Sequence, residues 1–152
     1  MKEVVVVGGG KIGSMIAEML AGCGDYAVTV ADASAQTLER LETSAPVKKV
    51  AVDITDEVAL NALLAGKFAV LSAAPFHLTV AIARAAKAAG AHYLDLTEDV
   101  ASTRAVKALA KDAKSAFIPQ CGLAPGFITI AAFDLARRLD RKSTRLNSSH
   151  LG

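Results

Sequence analysis

The chain has 152 residues, 53% of them hydrophobic, with a mean hydropathy of +0.38. This composition excludes an intrinsically disordered chain and suffices for one domain with one core. Three of the 17 basic residues and one of the 15 acidic residues lie within 140–152, so residues 1–139 carry 14 of each. A neutral body gives no electrostatic case for binding nucleic acid, and no apolar run has the length of a membrane span, so we expect no nucleic-acid or membrane partner.

The N-terminus and the cysteines bear on localisation. The chain enters its first apolar run at Val4, without the apolar leader and cleavage site of a secreted protein. Cys23 and Cys121 give no disulfide framework and fit a reducing compartment. We therefore expect a cytoplasmic protein.

The stretch from Val4 to Gly13 predicts a dinucleotide-binding turn. Four β-branched residues indicate a strand buried on both faces. Gly8, Gly10 and Gly13 follow with the G-x-G-x-x-G spacing, and a helical apolar period begins at once (Ile12, Met15, Ile16, Met19, Leu20). Gly8 would permit the tight turn, Gly10 the approach of a pyrophosphate and Gly13 the close packing of the helix, whose N-terminus favours phosphate. A glycine-rich turn without a ligand is the plainer alternative.

Asp32 favours NAD over NADP as the cofactor. It ends a second predicted strand, residues 27–31, and lies 19 positions after Gly13, where the acid that binds the adenosine ribose is expected. A carboxylate there would accept hydrogen bonds from ribose hydroxyls and repel a 2′-phosphate, and no Arg follows to pair with one. Alternatively, Asp32 is the N-cap of the next helix, a role that Ser34 could also fill.

Two further strand ends complete the predicted cofactor site. Residues 47–52 form a third strand, after which Asp53 and Ile54 lie where the adenine would rest; alternatively, Asp53 caps the helix that begins near Asp56. Residues 68–73 form a fourth strand, and the loop 72–77 faces the crevice where strand order reverses. His77 in this loop is expected to be a partly exposed helix-start residue. The predicted cofactor-binding residues are Gly8, Gly10, Lys11, Ile12, Gly13, Asp32, Asp53, Ile54, Ser72, Ala73, Ala74 and Pro75.

Two candidate catalytic residues lie at the next strand ends. A fifth strand, residues 91–96, carries Asp95 toward its carboxyl end, where open α/β sheets bind ligands. A sixth strand, residues 116–120, is followed by Cys121, which is alternatively a small buried residue. The whole pattern predicts an α/β fold with a doubly wound, Rossmann-type parallel sheet of about six strands, and we expect no metal site.

Residues 140–152 differ from the rest of the chain. They are polar and aperiodic, and they resemble an in-frame translation of a sequencing-library adapter. We expect a cofactor-binding domain over residues 1–139 and an irregular cloning scar over 140–152, with the native chain continuing beyond about Leu139. A genuine polar tail is the alternative.

Several of these motifs resemble the N-terminal cofactor domain of saccharopine dehydrogenase-like oxidoreductases, a group that includes saccharopine reductase, lysine 6-dehydrogenase and carboxynorspermidine synthase-type enzymes. The resemblance covers Met1 to about Leu139. It is carried by residues 4–13, 52–53, 72–76 and 93–98 and above all by the Gly-Leu-Ala-Pro-Gly turn at 122–126.

The resemblance implies an NAD(P)-dependent enzyme that transfers hydride at a CH–NH group of an amino acid such as lysine or saccharopine. It also implies a second domain that completes the substrate site, and a homodimeric full-length parent. A stand-alone NAD-binding sensor or scaffold without catalysis is the competing hypothesis.

Overall fold

Six parallel strands form one sheet in a computed structural model of the protein, which describes the backbone of residues 1–148 and the side chains of residues 1–139. The strands are β1 Lys2–Val7, β2 Tyr26–Asp32, β3 Lys48–Ala51, β4 Ala69–Ser72, β5 His92–Asp95 and β6 Phe117–Ile118. Their order in the sheet is β3-β2-β1-β4-β5-β6, so the order reverses between β1 and β4. This is the predicted doubly wound Rossmann topology.

Helices follow the strands in alternation: α1 Lys11–Gly22, α2 Ala35–Glu39, α3 Glu57–Leu64, α4 Thr79–Ala89, α5 Val100–Ala110 and α6 Phe127–Ser148. Side-chain caps begin several of them. Ser34, Asp56 and Asp99 accept hydrogen bonds from backbone N–H groups in the first turns of α2, α3 and α5. A 3₁₀ turn, Phe76–Leu78, leads into α4.

Alternate residues of β1 enter two separate cores. Val5 and Val7 pack on one face of the sheet with Leu60 of α3, Ile82 of α4 and Val106 of α5. Val6 packs on the other face with side chains of α1 and α2, among them Ala17 and Leu38. Val4 to Val7 are each at most 5% exposed, so the predicted burial of β1 on both faces is confirmed.

Helix α1 packs on the sheet mainly through small residues. Gly13 and Ala17 are its buried residues, whereas Ile12, Met15 and Met19 are 59–70% exposed. Small residues on the inner face let the helix axis lie close to the sheet. Of the five apolar residues, Ile16 and Leu20 pack partly buried against the core, and the other three face outward.

Helix α6 extends beyond the predicted boundary at Leu139. Its backbone continues to Ser148, so residues 140–148 are helical where an irregular segment was expected. Arg, Lys and Leu favour a helix, and no Gly or Pro interrupts these residues. Residues 149–152 lie outside the described residues, and the origin of the tail stays a prediction.

Candidate functional site

The turn between β1 and α1 needs glycine at two positions for steric reasons. Gly8 has a φ of 103°, and a Cβ on it would lie 2.7 Å from the Ala73 carbonyl oxygen. A Cβ on Gly13 would lie only 1.8 Å from the Gly8 carbonyl oxygen. At Gly10, by contrast, a Cβ would meet no atom within 4 Å. The turn therefore packs tightly against its neighbours while its middle faces open space, the arrangement in which a phosphate can approach the backbone.

A first cleft of about 450 Å³ opens beside this turn, at the point where strand order reverses. Eight of the predicted cofactor residues line it: Gly8, Gly10, Asp32, Asp53, Ile54, Ala73, Ala74 and Pro75. His77, in the loop that was predicted to face the crevice, lines it too. The cleft also has lining residues that the sequence analysis did not assign to the site, namely Val7, Ala31, Ala33, Thr55 and Leu78. The cleft is mostly apolar in composition and is bordered by two carboxylates.

Asp32 is fixed by two backbone donors. Its Oδ2 accepts a hydrogen bond from the Gly9 N–H at 2.7 Å, and its Oδ1 accepts one from the Ser34 N–H at 2.8 Å. Ser34, and not Asp32, caps α2, because its Oγ accepts from the Thr37 N–H. A carboxylate has about four acceptor positions. Asp32 thus keeps acceptor capacity for ribose hydroxyls while it is tied to the glycine turn.

Asp53 is held in a tight turn on the wall of the first cleft. Its Oδ1 accepts hydrogen bonds from the Thr55 hydroxyl at 2.7 Å and the Thr55 N–H at 2.8 Å. These bonds lower the pKa of Asp53 below its ordinary value. The alternative role of Asp53 as a cap of α3 is excluded, since the Asp56 carboxylate accepts from the Val58 and Ala59 N–H groups. Asp53 therefore remains a charged, exposed carboxylate next to the buried Ile54.

A second cleft, of about 290 Å³, lies on the other side of the loop that follows β4. It shares Ala73 and Ala74 with the first cleft, so this pair lies between the two spaces. Its other lining residues are Ile12, Ser72, Phe76, Thr79, Asp95, Leu96, Thr97 and Glu98. Of the predicted cofactor residues, Ile12 and Ser72 therefore belong to the second cleft, and Lys11 and Gly13 line neither.

The two candidate catalytic residues lie together at the end of β5. Asp95 is 1% exposed and accepts hydrogen bonds from three groups, the Tyr93 hydroxyl and the N–H groups of Thr97 and Gln120. The Cys121 thiol is half-buried and donates to the Asp95 carbonyl oxygen at 3.2 Å. Burial, and then the charge of Asp95, raise the pKa of Cys121, so its thiolate is disfavoured at neutral pH. Catalytic roles for both residues stay predictions.

Tyr93 is the member of this group that the sequence analysis missed. Its hydroxyl lies 2.9 Å from Asp95 Oδ2 and 3.3 Å from the Thr79 carbonyl oxygen, and its ring is buried. Burial, followed by the charge of Asp95, raises the pKa of Tyr93 above its ordinary value, so the hydroxyl keeps its proton. The spacing of Tyr93 and Asp95, two residues apart on one strand, places both on one face of the sheet and could have indicated the pair.

A comparison with protein families assigns the domain. Residues 4–118 match the family model of the saccharopine dehydrogenase NADP binding domain. The chain belongs to this family. A search of curated proteins found no match. The resemblance carried by the sequence motifs is thus confirmed, and the family supports a nicotinamide dinucleotide as the cofactor without distinguishing NAD from NADP.

Solved structures similar to this family member confirm the fold. Apo saccharopine dehydrogenase (L-Glu forming) from Saccharomyces cerevisiae aligns with a TM-score of 0.82 and 23% identity over 93% of this chain and 32% of that chain. Apo scyllo-inositol dehydrogenase from Lactobacillus casei gives 0.71 and 15%, over 95% and 42% of the two chains. The NAD(P)-binding domain of an exopolyphosphatase-related protein from Archaeoglobus fulgidus gives 0.66 and 18%, over 91% and 99%. The chain thus spans about a third of the yeast enzyme's length.

The described residues show neither a candidate metal site nor a membrane-spanning helix. Within residues 1–139, no group of three or more His, Cys, Asp or Glu side chains is arranged to hold a metal ion. No helix in the described part of the chain combines the length and apolarity needed to cross a membrane.

Proposed function

We propose that this chain binds NAD, in preference to NADP, and is the cofactor domain of an oxidoreductase that acts on a CH–NH group. The adenosine half would occupy the first cleft, with Asp53 and Ile54 near the adenine and Asp32 at the ribose. The pyrophosphate would lie on the glycine turn. The nicotinamide half would pass the Ser72 to Pro75 loop into the second cleft. Bound there, the cofactor supplies a hydride acceptor or donor, and the protein supplies position and exclusion of water.

The observation that carries the proposal is the open space at Gly10, on a turn that two adjoining clefts flank. Gly8 and Gly13 are confined by neighbouring backbone, yet a side-chain carbon added to Gly10 would have no protein atom within 4 Å. This space adjoins the N-terminus of α1, where free N–H groups favour an anion. A molecule with an anionic centre and two flanking ring systems fits this layout.

The preference for NAD rests on charge in the first cleft. Asp32 is held by the Gly9 and Ser34 N–H groups and faces the cleft as a carboxylate. No Lys or Arg is among the described residues that line this cleft. A 2′-phosphate on the ribose would therefore meet a like charge without a cationic partner, which disfavours NADP.

The second cleft supports an amine substrate. Its two ionisable lining residues, Asp95 and Glu98, are both acids, and Glu98 is exposed. A negative cleft favours a protonated amine over a carboxylate. An amino acid such as lysine or saccharopine carries such a group, which is consistent with the family. Lysine metabolism, a cytoplasmic location and a homodimeric full-length enzyme are parts of the same proposal.

The experiment is a fluorescence titration of the full 152-residue chain with NADH and NADPH. We expect NADH to bind at least tenfold more tightly than NADPH. Asp32→Ser should reduce this preference. The affinity for NADH should fall because contacts with the ribose are lost, and the affinity for NADPH should rise because the repulsion of its 2′-phosphate is removed. Asp25→Ser is the matched control, because Asp25 is an exposed acid outside both clefts.

Two outcomes would change the proposal. A chain that melts cooperatively but binds neither cofactor, even at millimolar concentration, refutes dinucleotide binding. A chain that binds NADH but, together with the remainder of its parent protein, does not reduce NAD with lysine or saccharopine would support a binding module without catalysis.

A further inference from the structure

The buried side chain of Asp95 lines the second cleft and contacts Thr97 and, through Tyr93, the surroundings of Thr79, which line it as well. It also holds the turn after β6, which packs on β5 without lining the cleft. We propose that Asp95 is a positioning residue that fixes the nicotinamide side of the cofactor site by tying these segments together, and that it acts without taking part in the chemistry. The inference rests on the proposed dinucleotide site. It assigns the carboxylate a role through its neighbours, in place of the catalytic role expected from the position of Asp95 at a strand end.

The first tie holds the turn after β6. Asp95 Oδ1 accepts a hydrogen bond from the Gln120 N–H at 3.0 Å, and the Asp95 carbonyl accepts one from the Cys121 N–H at 2.9 Å. Gln120 has a φ of 60°, a left-handed conformation that is unfavourable for a residue other than Gly. Strand β6 pairs with β5 at only two positions. The Asp95 bonds therefore hold a strained turn that the short ladder alone would hold weakly.

The second tie holds the wall between β5 and α5. Asp95 Oδ1 also accepts from the Thr97 N–H at 3.0 Å. The Thr97 hydroxyl in turn accepts from the Asp99 N–H at 3.2 Å, and the Asp99 carboxylate accepts from the Ser102 N–H at 2.6 Å to cap α5. Leu96, Thr97 and Glu98 line the second cleft. The position of this wall is thus set by a chain of hydrogen bonds that begins at Asp95.

The third tie reaches the start of α4. The Tyr93 hydroxyl lies within hydrogen-bond distance of both Asp95 Oδ2 and the Thr79 carbonyl oxygen. Thr79 lines the second cleft and is 1% exposed. The hydroxyl has one proton, which Asp95 Oδ2 accepts at the shorter distance, so Asp95 fixes the Tyr93 hydroxyl beside Thr79 at the start of α4.

The surroundings of Asp95 fit positioning better than proton transfer. The carboxylate is buried and already accepts from Tyr93, Thr97 and Gln120, and the last two of these donors are backbone N–H groups. Breaking these bonds to reach a substrate would leave two half-buried backbone N–H groups without their acceptor, which is unfavourable. Such a carboxylate holds its neighbours in place.

The test compares two ligands that differ in the nicotinamide half. NADH occupies both clefts in the proposed pose, whereas ADP-ribose lacks the nicotinamide ring. Asp95→Ala should lower the affinity for NADH at least about tenfold and leave the affinity for ADP-ribose within about threefold of the wild-type value. Asp95→Asn keeps an acceptor oxygen for Thr97 and Gln120, so its affinity for NADH should lie within about threefold of the wild-type value. Asp25→Ala, which changes an exposed acid outside both clefts, is the control.

A second readout is independent of the cofactor. Amide hydrogen exchange of Thr97 and Gln120 should accelerate at least about tenfold in Asp95→Ala and stay protected in Asp95→Asn. Tyr93→Phe removes the third tie alone and should accelerate neither amide. If Asp95→Ala does not fold, Asp95→Asn decides: NADH affinity within about threefold of the wild type with both amides protected supports the inference, and any other result overturns it.

The outcomes separate this inference from the proposed function. Equal weakening of NADH and ADP-ribose in Asp95→Ala, or unchanged exchange at Gln120 and Thr97, overturns the positioning role. If Asp95→Asn loses NADH binding while both amides stay protected, the carboxylate charge acts on the cofactor directly. This result also overturns the inference. A wild-type chain that binds neither ligand refutes the proposed function and with it the link from Asp95 to the cofactor.

Discussion

A methyl group at Gly10 should separate cofactor binding from stability. In Gly10→Ala the new Cβ meets no protein atom within 4 Å, and the φ of −69° is ordinary for alanine. Replacing Gly lowers the entropy of the unfolded chain, which is worth about 0.4–1 kcal/mol, and losing Gly as N-cap of α1 costs about as much. The free energy of unfolding should change by less than about 1 kcal/mol, which is a shift in Tm of less than about 4 °C.

Cofactor affinity should fall sharply in the same variant. The methyl group projects into the space where the pyrophosphate would contact the turn and the N-terminus of α1. Losing one hydrogen bond to a charged group costs about 1.5–3 kcal/mol, which corresponds to a weakening of roughly 10- to 150-fold. NADH fluorescence titration and thermal melting of the same preparation measure both effects.

Two other glycines of the same helix provide controls. Gly22→Ala also adds a methyl group to open space, but about 18 Å away along α1, so it should leave NADH affinity unchanged. Gly13→Ala places its Cβ 1.8 Å from a backbone oxygen and should lose about 1–3 kcal/mol or more of stability together with binding. A Gly10→Ala protein that binds NADH as tightly as the wild type would refute the placement of the pyrophosphate on this turn.

Three further predictions concern stability, reactivity and surface. The hydrogen bond from the Ser102 N–H lowers the pKa of Asp99, so the stability contributed by this cap should be present above about pH 4 and lost as the pH falls further. In thermal melts between about pH 6 and pH 3, the Tm of Asp99→Asn should therefore fall less than that of the wild type, and an equal fall in both proteins would contradict this. Iodoacetamide at about pH 8 should modify the exposed Cys23 at least about tenfold faster than Cys121, whose pKa is raised by burial, and peptide mapping would show equal rates if this is wrong. The exposed side of α6 carries six large apolar residues (Phe127, Ile128, Ile130, Phe133, Leu135 and Leu139), so Leu135→Lys should reduce binding of a hydrophobic dye. Gln36→Lys, at an exposed position of α2, should not, and equal effects would show that α6 is not the dye site.

Sequence patterns predicted the cofactor side of the fold because its determinants are local. The run of Val residues, the glycine spacing and an acid at the end of β2 lie within the first 32 residues, and each follows from backbone conformation or strand burial. Helix α1 shows the limit of such patterns. Its apolar period indicates a helix but does not say which face is buried, and the close contact of Gly13 with the Gly8 carbonyl places Ile12, Met15 and Met19 outward. A hydrophobic period shows where large apolar residues recur. It does not detect a close backbone contact that is possible only because a glycine has no side chain.

The nicotinamide side of the site was harder to predict because its determinants are distant in sequence. Asp95 was singled out by its place at a strand end, a rule that identifies a location and leaves the role open. The role of the carboxylate depends on Gln120, which lies 25 residues further along the chain. It also depends on the left-handed conformation of Gln120, which the surrounding sequence does not predict. A buried strand-end carboxylate that accepts from three groups has become part of the wall, whereas a partly exposed one with two donors, such as Asp32, keeps acceptor positions for a ligand. Counting the donors already directed at each acid, together with its exposure, is therefore the step that separates a residue that holds the site from a residue that contacts the ligand.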